Sequence, residues 1–367
     1  MPGTEPSDPA PRGYAPSMTS DYSRISATAR AVDRSVEPRV ATYIESIRET
    51  VAGMPPGRPF VIADYGAADG ANSSRLFRGI VKQLRAINPA LAVRLVYVDI
   101  ADPAPFRRFW EGSALAETEK VEADYVQRSF YEPLPELAGQ VQIGFSSTAL
   151  HWLDTRQVDP SFFRHPRCIQ PNQMPAPERA RFAEKWRCDW RLFLRERSHD
   201  LADGGLLVLA NLADLGGDRW PASGGYDRLR DACAALHREG RLTAEELAAI
   251  FVPDYFATPD EMRAVLEEDG VRQRFSLRSL EATTVPCAYC SQVFKGDDVR
   301  ERRERAAALA RVVRAWSESS VRVGLAAHTD LVDEVYARLE DTFFERPAAL
   351  PYQYCLIELQ RAGATAE

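Results

Sequence analysis

The chain lacks any membrane-spanning run: no apolar stretch approaches the ~20 residues that cross a hydrocarbon core. It also lacks an excess of positive charge. Lys and Arg number 46 against 53 Asp and Glu, a net charge of -7, and such a balance suits nucleic-acid phosphates poorly unless a local basic patch is present. Residues 1–20 are rich in Pro, Gly and Ser and have no apolar centre, so they read as a disordered lead-in and not as an export signal. Without such a signal the six cysteines read as reduced thiols in the cytosol. Cys287-Ala-Tyr-Cys290 is the one CxxC, and no second pair at ligand spacing accompanies it. A structural zinc site needs about four ligands, so no metal is expected. There is no internal repeat, and no G-x-G-x-x-G. With 367 residues, 45% hydrophobic and 27% charged, the composition is that of an ordinary globular protein.

What is present is concentrated in Phe60-Val-Ile-Ala-Asp64-Tyr-Gly66-Ala-Ala-Asp-Gly70-Ala-Asn72. An apolar run ends in an acid, passes through a glycine-bracketed turn and enters small polar residues that can open a helix. Glycine permits the tight turn and lets a ligand approach the main chain. α/β proteins build nucleotide sites this way, at the carboxyl ends of their strands. Leu91–Asp99 is a second strand, again ending in an acid, at the distance of one strand-helix-strand unit; there a carboxylate can accept hydrogen bonds from ribose hydroxyls.

The rest of the chain follows the same rhythm. Tyr22 to about Val51 is periodic and should kink or split at Pro38. Ser73–Ile87 and Phe106–Trp110 read as helices, and Val121–Ser129 as a third strand or loop. Val141–Ser146 reads as a fourth strand with period-two alternation, running into Ser146-Ser-Thr148-Ala-Leu-His151-Trp152. Residues 154–177 are a proline-rich excursion. Glu178–Ala202 carries the apolar stripe Phe182, Trp186, Trp190, Phe193, Leu194 and Leu201, with Asp203-Gly204-Gly205 as its stop. Leu206–Ala210 is a buried fifth strand and Asn211–Gly225 a glycine-rich loop. Helices follow near Tyr226–Arg238, Thr243–Ile250 and Pro259–Glu268, the last opened by a Thr258/Glu261 capping box. Phe275–Ala282 and Tyr352–Leu359 are late strands flanking helices near Glu301–Trp316 and Thr329–Phe344. The expected fold is α/β, a mostly parallel sheet under an α-helical cap. The core would comprise 21–153, 178–212, 271–285 and 352–360; the cap would comprise 154–177, 213–270 and 286–351.

These motifs, in this order, resemble the SABATH family of S-adenosylmethionine-dependent carboxyl and N-methyltransferases: the plant carboxyl and caffeine-type enzymes and their bacterial relatives, the bacterial type being the nearer expectation. Asp21-Tyr-Ser-Arg-Ile-Ser26 stands where members have Ser-Tyr-Ala-Lys-Asn-Ser. Ile62–Asn72 matches Ile-Ala-Asp-Leu-Gly-Cys-Ser-Ser-Gly-Pro-Asn. Val98-Asp-Ile100, Arg128-Ser-Phe-Tyr131 and Ser146-Ser-Thr-Ala-Leu-His-Trp-Leu153 match the family's later motifs. So do Asp189-x3-Phe193-Leu-x-x-Arg197-x3-Leu201-x2-Gly204-Gly and the Thr258-Pro-x-Glu-Met segment.

The resemblance implies a Rossmann-like class I methyltransferase core, S-adenosyl-L-methionine as cofactor, a small-molecule acceptor, and pairing as a homodimer, which the apolar helices would allow. It implies that Ser26, Asp64, Gly66 and Asn72 hold the methionine end. Asp99 would bind the ribose, with Ile100 against the adenine and Ser129 and Phe130 closing over it; Ser146 lies on the same side. His151 and Trp152 would face the acceptor as catalytic residues, and Tyr22, Thr148, Trp220 and Tyr226 would line its pocket. Two departures fall on the acceptor side: Ala29 stands where carboxyl methyltransferases of the family place a carboxylate-gripping Gln, and Thr148 where an aromatic is common.

A carboxylate is ionised at neutral pH and needs no base. His151 and the Trp152 indole can donate hydrogen bonds to it. For a phenol or ring nitrogen, His151 would be the obvious base. The expected function is methyl esterification of a small acid, with O- or N-methylation of a non-carboxylate as the alternative. An NAD-dependent oxidoreductase and a non-catalytic binding protein are more distant readings; the G-x-x-x-G spacing of Gly66 and Gly70 opposes the former.

Overall fold

A computed structural model describes residues 29–217, 220, 223–287 and 298–363. The chain opens with helices α1 (Ala29–Ser46) and α2 (Arg48–Ala52). The break falls at Ile47, and Pro38 lies inside α1, so the expected split at Pro38 does not occur. The continuous stripe Val32, Val36, Val40, Tyr43 and Ile44 is buried. Tertiary packing of that stripe carries the helix through the lost hydrogen bond.

Then come β1 (Phe60–Tyr65), α3 (Ser74–Ile87), β2 (Val93–Asp99), α4 (Pro103–Glu111), β3 (Val121–Gln127) and β4 (Val141–Ser147). The long helix α5 (Ala176–Asp200) leads to β5 (Leu201–Leu212), and β6 (Phe275–Val285) and β7 (Tyr352–Arg361) complete one seven-stranded sheet in the order β3-β2-β1-β4-β5-β7-β6. The strands β1 to β5 are parallel, and β7 is antiparallel to both its neighbours. Strand order reverses at β1, which lies between β2 and β4. The crevice beyond the carboxyl ends of these strands is therefore the topological switch point, where open α/β sheets bind ligands.

Two local expectations are corrected. β4 does not alternate: Ile143, Gly144, Phe145 and Ser146 are all buried, because helices cover both faces of the sheet. Helix α5 stops at Asp200, and Asp203-Gly204-Gly205 belongs to β5. The glycines form a bulge there: pairing jumps from Val141↔Leu201 to Ile143↔Leu206. Gly204 has φ +72°, and its carbonyl accepts from Tyr43 Oη at 3.2 Å and Gln360 Nε2 at 3.0 Å.

The remaining helices are α6 (Ser223–Arg238), α7 (Ala244–Ala249), α8 (Pro259–Leu266), α9 (Asp269–Arg272), α10 (Val299–Gly324) and α11 (Leu331–Glu345). Thr258 and Glu261 form the expected capping box, and Thr243 with Glu246 forms a second at α7. Leu229, Val313, Val335 and Leu339 join α6, α10 and α11 in one core with the α1/α3 side of the sheet. The stripe of α5 packs in the core on the opposite face. Among the described residues no helix is long and apolar enough to cross a membrane.

Candidate active site

The loop after β1 is shaped by three residues at positive φ: Gly66 at +88°, Ala68 at +51° and Gly70 at +76°. Gly66 and Ala67 donate their N–H groups to Val98 O at 2.8 and 3.2 Å, which ties the loop to the end of β2. At Gly66 a Cβ would lie 2.3 Å from Ala149 Cβ and 3.4 Å from the Phe130 ring, so the main chain fills space that no side chain could share. Asp64 is buried on β1, in register with Tyr97 of β2. Asp99 ends β2. Its Oδ2 accepts from Ala68 N at 2.8 Å and its Oδ1 from Ala101 N at 2.9 Å, which fixes the carboxylate plane. Burial holds this carboxyl above its usual range, against the pull of those N–H groups. The adjacent Ile100 is 40% exposed, an unusual state for a large apolar side chain next to a buried strand. Phe130 packs on Tyr131 and Phe193 with ring centroids 4.7 and 6.0 Å away, and Ser129 Oγ accepts from Tyr131 N.

One buried cation holds these walls together. Arg197 is fully buried; its Nε donates to Asp200 Oδ2 at 2.6 Å, its Nη1 to Phe130 O and its Nη2 to Glu132 O at 2.8 Å. Its guanidinium lies over the Tyr65 ring at 4.9 Å, and Tyr65 Oη donates to the same Asp200 oxygen at 3.0 Å. Ser146 Oγ donates to Tyr65 O at 2.7 Å. Arg197 thus ties the Phe130 wall to the root of the Gly66 loop.

Beyond β4 the chain turns sharply. Thr148 has φ +57°, a strained state for a β-branched residue, costing about 1–3 kcal/mol. Its N–H donates to Ala210 O at 2.9 Å, and its hydroxyl lies 3.2 Å from Tyr354 Oη. His151 follows, 3% exposed, and its Nδ1 has no hydrogen-bond partner among the described residues. Burial pushes its pKa down to about 3, so the imidazole is neutral and donates through one N–H. The ring stacks on Phe256 at 5.4 Å and lies 5.3 Å from Trp152. Trp220 packs against both Phe256 and Tyr226, at 5.6 and 5.0 Å, and Tyr226 against Trp316 at 4.3 Å. The result is an aromatic cluster packed around a neutral imidazole.

A family model described as SAM dependent carboxyl methyltransferase matches residues 17–361. The chain belongs to this family, the SABATH family. "Methyltransferase FUS9" of Gibberella fujikuroi is 25% identical over 240 residues, covering 61% of this chain and 60% of its own length. Jasmonate O-methyltransferase of Arabidopsis thaliana is 26% identical over 152 residues, 38% of each chain. The chain therefore spans less than two thirds of the length of these curated relatives. Both are eukaryotic, one fungal and one plant, and give no support to a bacterial-type affinity. A solved structure, loganic acid methyltransferase with SAH, superposes with TM-score 0.73 at 18% identity over 95% of this chain and 98% of that one. At that identity the likeness shows the fold, that of a class I methyltransferase.

The residue types of this SABATH site fit S-adenosylmethionine on the geometry alone. Gly66 leaves a cradle that a Cβ would fill, Asp99 presents an oriented carboxylate, and Ile100 offers an exposed apolar face. Asp64, Gly66, Asn72, Asp99, Ile100, Ser129 and Phe130 gather at the ends of β1 to β3. Ser146 lies beneath them, 1% exposed, with its proton committed to Tyr65 O. Thr148, His151, Trp152, Trp220 and Tyr226 gather beyond β4. Tyr22, Ser26 and Cys290 lie outside the described residues, and Cys287 is a buried core residue. Among the described residues no cluster of His, Cys, Asp and Glu is placed to hold a metal ion.

Three buried polar residues received no role in the sequence. Arg197 stood in a quoted motif but received no role. Asn211, at the end of β5, is 1% exposed with both side-chain amide atoms unpartnered among the described residues; a polar residue closing the run Leu206–Ala210 was its signal. Asp254 gave no local signal at all.

Proposed function

We propose that the protein transfers the methyl group of S-adenosylmethionine to the carboxylate of a small acid, giving a methyl ester and S-adenosylhomocysteine. The observation that carries this reading is the buried, neutral His151 beside Trp152. An imidazole whose pKa is pushed down to about 3 is a poor base at neutral pH, but it remains a good hydrogen-bond donor. That suits an acceptor already ionised, a carboxylate.

When bound, S-adenosylmethionine supplies an activated methyl group on its sulfonium. The chain's own residues position and enclose. Asp99, Ile100, Phe130 and the Gly66 loop hold the nucleoside end, with Ser26, Asp64 and Asn72 toward the methionine end. His151 and Trp152 orient the acceptor oxygen, and the aromatic side chains of Phe256, Trp220 and Tyr226 exclude water. Alignment of this kind can supply several kcal/mol of barrier lowering. Residues 154–177, 213–270 and 286–351 act as the cap over the site, and the protein works as a dimer.

Ala29 and Thr148 favour a second reading, methylation of a phenol or ring nitrogen. The test is the purified chain with labelled S-adenosylmethionine and a panel of free acids, each paired with its amide and a phenol analogue. Methyl ester formed only from the acids is expected. Label on the phenols alone would favour the second reading, and no calorimetric binding of S-adenosylmethionine would sink both.

A further inference from the structure

Tyr125 lies on β3, the edge strand, in register with Tyr97 of β2. Its ring packs on Phe106 with centroids 5.0 Å apart, and Phe106 packs on Tyr97 at 4.9 Å. A plain phenyl ring would serve that packing equally well. The hydroxyl has a separate task. It lies 3.3 Å from Ala68 O and 3.2 Å from Ala101 O, and its one proton is shared between these two carbonyls. Ala68 and Ala101 are also the residues whose N–H groups hold the Asp99 carboxylate, at 2.8 and 2.9 Å. One side chain takes the N–H groups of this pair of residues, and another takes their carbonyls.

Ala68 needs such holding. It is a non-glycine residue at φ +51°, in a region that costs an L-residue about 1–2 kcal/mol. A state of that kind persists where its surroundings over-determine it. Asp99 fixes the peptide before Ala68, and Tyr125 fixes the peptide after it. Burial, and then the Asp99, Asp102 and Asp69 carboxylates, hold the Tyr125 phenol well above its ordinary range, so it stays a donor. Asp99 retains solvent-exposed surface. A carboxylate offers about four acceptor positions, more than the N–H groups of Ala68 and Ala101 occupy.

We infer that Tyr125 is a positioning residue for the cofactor's ribose: through Ala68 and Ala101 it fixes the Asp99 carboxylate in the orientation that receives the ribose hydroxyls. This rests on the proposed reading of Asp99 as the ribose acceptor.

The test is calorimetry on the full chain with S-adenosylhomocysteine and its dideoxyribose analogue, which lacks both ribose hydroxyls. The wild type should prefer the hydroxylated ligand by about ten- to a hundredfold, the worth of a hydrogen bond to a charged group. Tyr125→Phe keeps the ring that meets Phe106 and removes only the hydroxyl. It should weaken S-adenosylhomocysteine by about three- to tenfold and the analogue by less than about twofold, so the preference falls. Replacement of Tyr125 by para-aminophenylalanine, whose amino group can offer one N–H to each carbonyl, should restore the preference. Asp99→Ala should abolish it, and in that background Tyr125→Phe should change neither affinity.

A tyrosine that only packed the edge strand would lower the Tm, or weaken both ligands alike, and leave their ratio unchanged. An unchanged ratio in Tyr125→Phe, while Asp99→Ala abolishes the preference, overturns this inference and leaves the ribose reading of Asp99 standing. An equal effect of Tyr125→Phe with and without the Asp99 carboxylate also overturns it, since the hydroxyl would then act by another route. A preference that survives Asp99→Ala overturns both readings, as does a wild type that binds neither ligand or does not distinguish them. Thermal unfolding checks the fold of each variant; should Asp99→Ala fail to fold, the loss and recovery of the ratio in the other two proteins decides.

Discussion

Gly66→Ala separates two costs that coincide in the cofactor loop. The first is torsional: Gly66 sits at φ +88°, and a residue with a Cβ loses about 1–2 kcal/mol in the left-handed region. The second is steric. The new Cβ would stand 2.3 Å from Ala149 Cβ, where carbon atoms normally keep about 3.5–4.0 Å apart. The loop or the turn after β4 must then move by roughly 1 Å, and overpacking of this kind costs about 1–3 kcal/mol. Together the loss is about 2–5 kcal/mol, a large part of a typical stability of about 5–15 kcal/mol. Ala149 lies two residues before His151, so the movement also displaces the acceptor side, and a shift of about 1 Å can cost ~100-fold in rate. Ala149→Gly removes the clashing methyl and leaves the torsion. A double-mutant cycle by urea unfolding, with S-adenosylhomocysteine calorimetry on the same four proteins, should show a favourable coupling of about 1–3 kcal/mol between the two substitutions and a residual deficit of about 1–2 kcal/mol. A Gly66→Ala protein within about 0.5 kcal/mol of wild type, or a cycle with no coupling, would refute the packing argument.

Arg197→Met strands the buried Asp200 and leaves the Phe130 and Glu132 carbonyls without their donor, so it should cost about 3–5 kcal/mol in urea unfolding. Arg197→Met/Asp200→Leu should recover the part due to the stranded carboxylate, since the two carbonyls stay without a donor and Tyr65 Oη loses its acceptor, and a double variant no better than the single one refutes the network. His151 should make stability fall with acid: between its ordinary 6.5 and about 3 the unfolded imidazole takes a proton that the folded one refuses, at about 1.4 kcal/mol per pH unit. Asp254, raised to about 7, and Asp189 and Asp200, raised to about 6, act with the opposite sign, since the folded state keeps protons there that the unfolded state releases. The measurement is therefore the difference between wild type and His151→Gln across that range, and a difference that does not change with pH defeats the claim. Thr148→Asn, whose side chain tolerates positive φ, should gain about 1 kcal/mol by relieving strain at φ +57°; an unchanged or lower Tm argues that Thr148 is not strained.

The clustering of the candidate cofactor residues was legible because it is local. Asp64, Gly66, Asn72, Asp99 and Ile100 lie within one strand-helix-strand unit, so spacing along the chain determines spacing in space. The strand-end rule then placed Ser129 and His151 at the same edge without any contact information. The errors in the fold have physical causes of the same kind. Pro38 and the Gly204–Gly205 pair are strong local punctuation, but at Pro38 a buried stripe outweighs it, and at the glycines a sheet bulge uses it for another purpose. Tyr65 is the instructive case. It stands where the family pattern has Leu, and alone it reads as a blemish in the loop motif. Its hydroxyl is taken by Asp200 and its ring faces Arg197, two residues from a motif noted separately. The substitution makes sense only as one part of a triad that the sheet brings together.

The acceptor side resists sequence reading for the converse reason. Its members come from the turn after β4 (148–152), the start of α6 (Tyr226), the segment before α8 (Phe256) and the middle of α10 (Trp316). Each is an ordinary aromatic or polar residue in its own neighbourhood, and no periodicity distinguishes Phe256 from any other core ring. Burial converts them into chemistry. It takes the charge from His151, which favours a donor over a base. A base and a donor demand different acceptors, so how deeply one imidazole is buried bears directly on which substrates the protein can use. In this chain that depth comes from Phe256 and Trp152 packing on the ring, a contact made across more than a hundred residues in one case and between neighbours in the other. Phe256→Ala should therefore do more than loosen the pocket. It should admit water to His151 and raise its pKa toward 6.5. An ionisation would then enter the pH–rate profile near neutrality, where the wild type should show none from this residue. A variant whose profile stays flat while kcat/KM falls would mean that the ring only shapes the cavity and does not control the protonation of His151.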